Sequence, residues 1–167
     1  MNNELTQKDI DDMEKEIEYR KIVLRKELLE HVKDARSLGD LSENFEYYAA
    51  KKEKNQNESR IRYLERMIRT ASVVEDNSKE DEVGINKTIT VYVEEDDVEE
   101  EYKIVTTVRE DSLHGLVSNE SPMGKALLGH KVGDRVEITV SKDYSYYVVI
   151  RKIDSSTIDE SGDLRSF

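Results

Sequence analysis

Two runs of apolar residues at helical spacing, interrupted once at Gly39, limit what this chain can fold into. In the first run, Ile10, Met13, Ile17, Leu24, Leu28, Val32, Ala35 and Leu38 recur mostly every three or four residues. That is the spacing of one face of an α-helix. In the second, Tyr47, Ala50, Ile61, Leu64, Ile68 and Ala71 repeat the rhythm. Gly39 suits the left-handed stop of a helix. Asp40 follows as a candidate N-cap, with Glu43 three positions on in the manner of a capping box. Two helices of about 30 residues joined by so tight a turn run antiparallel, each roughly 45 Å long. Residues 38–44 then form the tip of a narrow rod.

The tip carboxylates admit two readings. In one, Asp40 and Glu43 only cap a helix, worth about 1 kcal/mol. In the other, the rod delivers two hard oxygen ligands, suited to Mg²⁺, into a deep place that a globule cannot enter. Two carboxylates alone hold Mg²⁺ weakly, so this second reading requires a partner that completes the site.

The rod's own sequence is uneven. No aliphatic residue appears in the ten positions after Ala50. A heptad carried back from Ile61 places Lys54 and Asn57 on the seam, where polar residues weaken a coiled coil while fixing its register. The coil is expected to be loose there, opposite Leu24–Leu28. Residues 1–8 read as a frayed lead-in, with Thr6 or Asp9 starting the first helix.

After a polar, acidic stretch at residues 76–82, read as a linker, the period changes to two. Ile89, Val91 and Val93 alternate with polar residues, as do Tyr102 and Ile104, then Val136, Ile138 and Val140, then Tyr146, Val148 and Ile150. These read as strands with one buried face. Asp96-Asp97 and Gly133-Asp134 read as turns. Between the strands, Ser121 suits an N-cap, Pro122 the first helical position and Gly129 the stop of a short helix. The fold class is α+β: a hairpin over 1–75, a small antiparallel sheet domain with one short helix over 83–153, and a polar tail over 154–167.

Charge is divided between the two parts. Residues 1–74 carry 15 Lys+Arg and 16 Asp+Glu, whereas residues 75–167 carry 11 and 22. The acidic second part disfavours free nucleic-acid binding, since affinity for phosphates comes from Lys and Arg; a basic face on the rod remains open. With no Cys among 167 residues there is neither a disulfide framework nor a thiolate metal site. His31, His114 and His130 lack metal-ligand spacing. No apolar run approaches the roughly 18 residues of a membrane span, and no signal-peptide pattern opens the chain. A cytoplasmic monomer, with no membrane partner, is the expectation.

Two stretches carry a resemblance to a known family. Gly39-Asp40-Leu41-Ser42-Glu43-Asn44, followed by Glu46-Tyr47 and Ala49-Ala50-Lys51, resembles the tip of the bacterial Gre transcript-cleavage factors of RNA polymerase, the GreA-like branch in particular. The run from Ser121-Pro122-Met123-Gly124 through Gly133-Asp134 is similar to that family's C-terminal signature. The resemblance implies a coiled-coil hairpin followed by a domain of FKBP-like fold. It implies that the hairpin enters the secondary channel of RNA polymerase. There Asp40 and Glu43 act as catalytic carboxylates on the nascent RNA 3′ end and share a Mg²⁺ with the polymerase. Gly39, Ser42 and Asn44 support the tip. Glu120, Ser121 and Pro122 bind a coiled coil of the polymerase's largest subunit. The chain itself is then no complete enzyme; it stimulates cleavage of RNA in backtracked complexes. Phe45 stands where the family has a small residue, and Gln56 and Asn57 replace apolar ones, which leaves open a paralogue that occupies the channel without cleavage. A prolyl isomerase, suggested by an FKBP-like fold, fits poorly with a Trp-free, acidic second domain.

Overall fold

The computed structural model describes residues 3–39, 44–156 and 163–166. The chain divides into two compact units: Ile10–Ser72 makes up most of one, and Val73–Ser166 together with Glu4–Asp9 makes up the other.

The first unit is the expected helical hairpin. Helix α1 (Gln7–Tyr19) passes through a π-helical turn (Arg20–Leu24) into α2 (Arg25–Arg36), and α3 (Phe45–Arg69) returns. Leu28, Ala35, Ala50, Ile61 and Leu64 are buried, all at positions on the apolar stripes. The expected weak segment of the coil takes a definite form. Asn57, only 3% exposed, accepts from Arg20 Nη1 at 2.9 Å and donates through Nδ2 to the Arg20 carbonyl at 3.3 Å. That same carbonyl accepts from the Arg25 N–H, five residues on. The wide turn is therefore associated with a side chain reaching across into the helix's hydrogen-bond ladder.

A polar layer continues beside it. Glu16 accepts from Arg20 Nε at 2.8 Å and from the buried Arg60 Nε at 2.8 Å. Burial opposes the Glu16 charge, but hydrogen bonds from Arg60 and Arg20 outweigh it and hold the carboxyl below its ordinary pKa. Arg25 adds a two-pronged bond to Glu58, at 3.0 and 2.8 Å. Polar residues on the seam thus fix which turns face each other, the use of buried polar groups best attested in coiled coils.

The start of the chain corrects one expectation. Residues 3–5 do not fray: β1 (Asn3–Leu5) pairs with β2 (Ala71–Val73) in a two-stranded sheet. The Asn3 N–H donates to the Thr70 carbonyl at 3.0 Å, and the Val74 N–H to the Leu5 carbonyl at 2.9 Å. Leu5 is fully buried. Thr6 and Asp9 then form a capping box, Thr6 N donating to Asp9 Oδ2 at 2.9 Å and Asp9 N to Thr6 Oγ1 at 3.1 Å. Within the second unit Asp9 does more than cap. It accepts from Arg109 Nε at 2.7 Å and Thr106 Oγ1 at 2.6 Å, and is 1% exposed.

The second unit is built on a five-stranded sheet in the order β5-β4-β3-β7-β6. Its strands are β3 (Thr88–Val93), β4 (Val98–Val105), β5 (Leu116–Ser118), β6 (Arg135–Ser141) and β7 (Tyr144–Asp154), with α4 (Pro122–Leu127) between β5 and β6. The alternating residues Ile89, Val91, Val93, Ile104, Val136, Ile138, Val148 and Ile150 supply the core, closed by Leu127 of α4. Three of the pairings are antiparallel, as expected; β4 and β5 run parallel. The parallel partner follows from the connection, in which two 3₁₀ turns (Thr107–Arg109 and Ser112–His114) carry the chain back before β5. The turn between β3 and β4 places Asp97 at φ 52°, and Gly133 turns into β6 at φ 93°.

Residues 76–82 are held within this unit. Asp76 accepts from the Ser78 N–H at 2.9 Å. The buried Lys87 donates through Nζ to the carbonyls of Lys79 and Glu82 at 2.7 and 2.9 Å. The polar tail is tied at Arg165, whose N–H donates to the Val108 carbonyl at 2.6 Å.

Candidate functional site

The hairpin tip is organised by its two edges. On the outgoing side, the last turn of α2 closes with the Ser37 N–H bonded to the Lys33 and Asp34 carbonyls and the Leu38 N–H to the Ala35 carbonyl. Gly39 follows at φ 120°, a conformation that L side chains rarely adopt. On the return side, Asn44 is the N-cap of α3: its Oδ1 accepts from the Tyr47 N–H at 3.0 Å. Its Nδ2 donates to the Ala35 carbonyl on α2, so one side chain both starts a helix and ties the two helices together. This corrects the assignment of the cap to Asp40. Asparagine competes well at this position, and Asn44 gains a second bond to the opposite helix. Asp40, Ser42 and Glu43 lie outside the described residues. The capping work first assigned to Asp40 is done by Asn44.

The flanks of the tip are cationic and aromatic. The Arg36 guanidinium lies 5.6 Å from the Tyr47 ring centroid. A hydrogen bond from Arg36, aided by Lys51 and Lys54, holds the Tyr47 phenol below its ordinary pKa. Tyr48 meets Tyr47 edge-on at 5.5 Å. Phe45, at the first helical position, is 85% exposed.

The second candidate, Glu120-Ser121-Pro122, forms the entry to α4. Ser121 is the N-cap and accepts from the Gly124 N–H at 3.0 Å, and Pro122 opens the helix, both as expected. Glu120 is held by Thr107, whose Oγ1 donates to its Oε2 at 2.9 Å; Ser118 Oγ accepts from the Glu120 N–H at 3.0 Å. Asn119 is buried, donating to Glu4 Oε2 at 2.7 Å, while its Oδ1 has no partner among the described residues. The glycine of this loop is fixed by space: a Cβ on Gly124 would lie 2.1 Å from the Ser118 carbonyl oxygen. Thr107, Ser118 and Asn119 had no local signal in the sequence, because their partners lie far along the chain. The tip and this loop belong to different units.

Both parts match known protein families. Residues 3–73 match the family model for the N-terminal domain of a transcription elongation factor, and residues 77–154 the GreA/GreB C-terminal model. Together they define the class, a transcription elongation factor made of two parts. The chain belongs to the GreA/GreB family. It is 44% identical over 149 residues to transcription elongation factor GreA of Macrococcus caseolyticus, covering 89% of this chain and 94% of that one. It is 47% identical over 126 residues to GreA of Bacillus subtilis, covering 75% and 80%. Among solved structures, GreA factor homolog 1 of Thermus thermophilus aligns over 93% of this chain and 100% of that one, at 24% identity and a TM-score of 0.43. GreA/GreB of Nitrosomonas europaea aligns over 56% and 78%, at 26% identity and a TM-score of 0.40. The sequence relatives carry the family assignment; these superpositions add no argument to it.

Proposed function

We propose that this protein acts on RNA polymerase through its hairpin, bringing Asp40 and Glu43 to the polymerase's catalytic centre, where they stimulate hydrolysis of nascent RNA in backtracked complexes. The observation that carries this reading is the cap at Asn44. A carboxylate that accepts its own helix's N–H groups is committed; here the α3 cap is an asparagine, so the tip pair is not needed to start the helix. Membership of the elongation-factor family supplies the context.

The division of labour follows from coordination chemistry. Two carboxylates match the oxygen preference of Mg²⁺ but not its demand for six ligands, so the ion is shared with carboxylates and phosphates of the partner. When bound, Mg²⁺ polarises the scissile phosphate and lowers the pKa of a bound water. Asp40 and Glu43 provide negative charge for the ion and hydrogen-bond acceptors that orient the attacking water. Arg36, Lys51 and Lys54, flanking the tip, favour the approach of an RNA phosphate. Gly39 and Asn44 hold the two ends of the tip, with Ser42 supporting it between them. Glu120, Ser121 and Pro122 attach the second unit to a coiled coil of the largest subunit. The protein therefore lends residues to an active site that belongs to its partner, and is not itself a complete enzyme.

The test is incubation with a stalled, backtracked polymerase complex and Mg²⁺, with the RNA resolved on a gel. Wild-type protein should yield shortened RNA that can be extended again. Asp40→Asn and Glu43→Gln should abolish the shortening while polymerase affinity stays within about 1 kcal/mol, roughly fivefold. Slowed nucleotide addition without shortened RNA would replace this reading with that of a channel-occupying inhibitor.

A further inference from the structure

In the sheet unit, where the turn after β3 leads into β4, a cavity of about 90 Å³ opens beside Met123 of α4. Tyr102, Tyr144 and Tyr146 line it together with Glu95, Asp96 and Glu100. The placement follows from strand geometry. Tyr102 and Glu100 are two apart on β4, and Tyr144 and Tyr146 two apart on β7, so each pair shares a face. Tyr102, Tyr146 and Met123 pack against the core, which fixes the apolar walls. The rings of Tyr144 and Tyr146 stand 5.9 Å apart, tilted by 34°.

The walls are aromatic and the rim is anionic. The Tyr102 hydroxyl donates to Glu100 and the Tyr144 hydroxyl to Glu95, each using one carboxylate oxygen. Burial, then the charges of Glu100, Glu95 and Asp96, raise the Tyr146 phenol above its ordinary pKa. The bond to Glu95 pushes Tyr144 up to about 12. Three carboxylates thus bear on one set of rings, and among the described residues no lysine, arginine or histidine lines the cavity.

We propose that this cavity binds the cationic end of a lysine or arginine side chain presented by a partner protein. The π-faces of tyrosines attract such a group, and a carboxylate rim adds charge-assisted hydrogen bonds. The size sets the ligand class. A cavity of about 90 Å³ has room for an ammonium or guanidinium head and none for a folded segment. The charge excludes phosphate. It also sets the site apart from an apolar proline pocket, in which ionised rim groups would be stripped of water for no return. The 22 acidic against 11 basic residues of positions 75–167 draw a basic partner segment toward this unit before contact. The proposal needs no polymerase chemistry and stands apart from the cleavage reading.

The probe is N-acetyl-arginine methylamide, titrated into the full-length protein and followed by the NMR signals of the Tyr144 and Tyr146 rings and the Met123 methyl. N-acetyl-norleucine methylamide and N-acetyl-proline methylamide serve as neutral controls. The arginine compound should give saturable shifts at these three residues and bind at least about fivefold tighter than either control. Glu95→Gln with Glu100→Gln should weaken it at least about fivefold, and Tyr146→Leu should do so while Tyr146→Phe does not. Equal binding of norleucine, or preferred binding of proline, overturns the proposal in favour of a neutral pocket. Non-saturating shifts spread over the whole acidic unit overturn it in favour of diffuse charge. Transcript cleavage is scored separately: normal cleavage with no arginine binding sinks this proposal alone.

Discussion

At the scale of single residues, two positions concentrate the constraints. Gly124 sits where any larger residue drives a Cβ into the Ser118 backbone, 2.1 Å from its carbonyl oxygen. Backbone cannot swing aside as a flexible side chain can, so Gly124→Ala should destabilise the protein by about 3 kcal/mol, at the upper end of overpacking costs. Chemical denaturation measures it. Asn44 is the other position. Asn44→Ala removes both the α3 cap and the bond to the Ala35 carbonyl, and should cost about 1–2 kcal/mol in the same measurement. Asn44→Asp should retain the cap and lose only the cross-helix bond. The tip shows how far local reading goes. Leu41-Ser42-Glu43-Asn44 offers several residues with capping chemistry, and Asp40 with Glu43 has the better local pattern. The choice falls to Asn44 because of a partner nine positions back on another helix, which no local pattern contains.

At the scale of elements, periodicity is legible wherever an element has a buried face and a length of several turns or pleats. Both arms of the hairpin, the strands β3, β4, β6 and β7, and the cap and stop of α4 follow from spacing and turn chemistry. The three-residue strands β1, β2 and β5 do not, because Asn-Glu-Leu, Ala-Ser-Val and Leu-Val-Ser are too short to show a period. Their pairing is decided by distant segments. The polar seam of the coil was legible as a weakness at Asn57, but not as a cross-helix network. That network makes a pH prediction. The Glu16 carboxyl is held below its ordinary value of 4.5 by Arg60 and Arg20. A folded pKa below the unfolded one gives stability that is fully present above pH 4.5 and is lost as pH falls through the lowered folded value. The melting temperature of the hairpin should therefore fall as the pH drops below 4.5. In Glu16→Gln the network's contribution to that slope should disappear, while the melting temperature at pH 7 drops. An unchanged slope in the variant would place the acid sensitivity elsewhere.

At the scale of the whole molecule, the proposed function predicts that the residues that hold the fold and the residues that act are different ones. The buried Asp9–Arg109 pair and the Glu16–Arg60 layer hold ionised groups that the fold requires. Asp9→Asn, which discharges one half of a buried pair, should cost about 3 kcal/mol or more. The tip carboxylates should behave in the opposite way. With Asn44 capping α3, Asp40→Asn and Glu43→Gln should leave unfolding free energy within about 0.5 kcal/mol of wild type while RNA cleavage is lost. Denaturation and cleavage measured on the same preparations decide it; a parallel loss of both would return the pair to a structural role.

The π-helical turn also bears on how the chain tolerates changes in length. A wide turn stores one residue more than an ordinary α-turn, with the helix on either side keeping its phase. Removing the exposed Ile22 should let Arg20–Leu24 relax to regular α-helix without rotating the tip. Removing Glu30 from the regular part of α2 should swing every later side chain by about 100° and unseat Leu28 from Ala35 along the stripe. Helical content and melting of the two single-residue deletions would then differ sharply, and the segment that looks like a flaw in the rod would be an adjustable joint in sequence length.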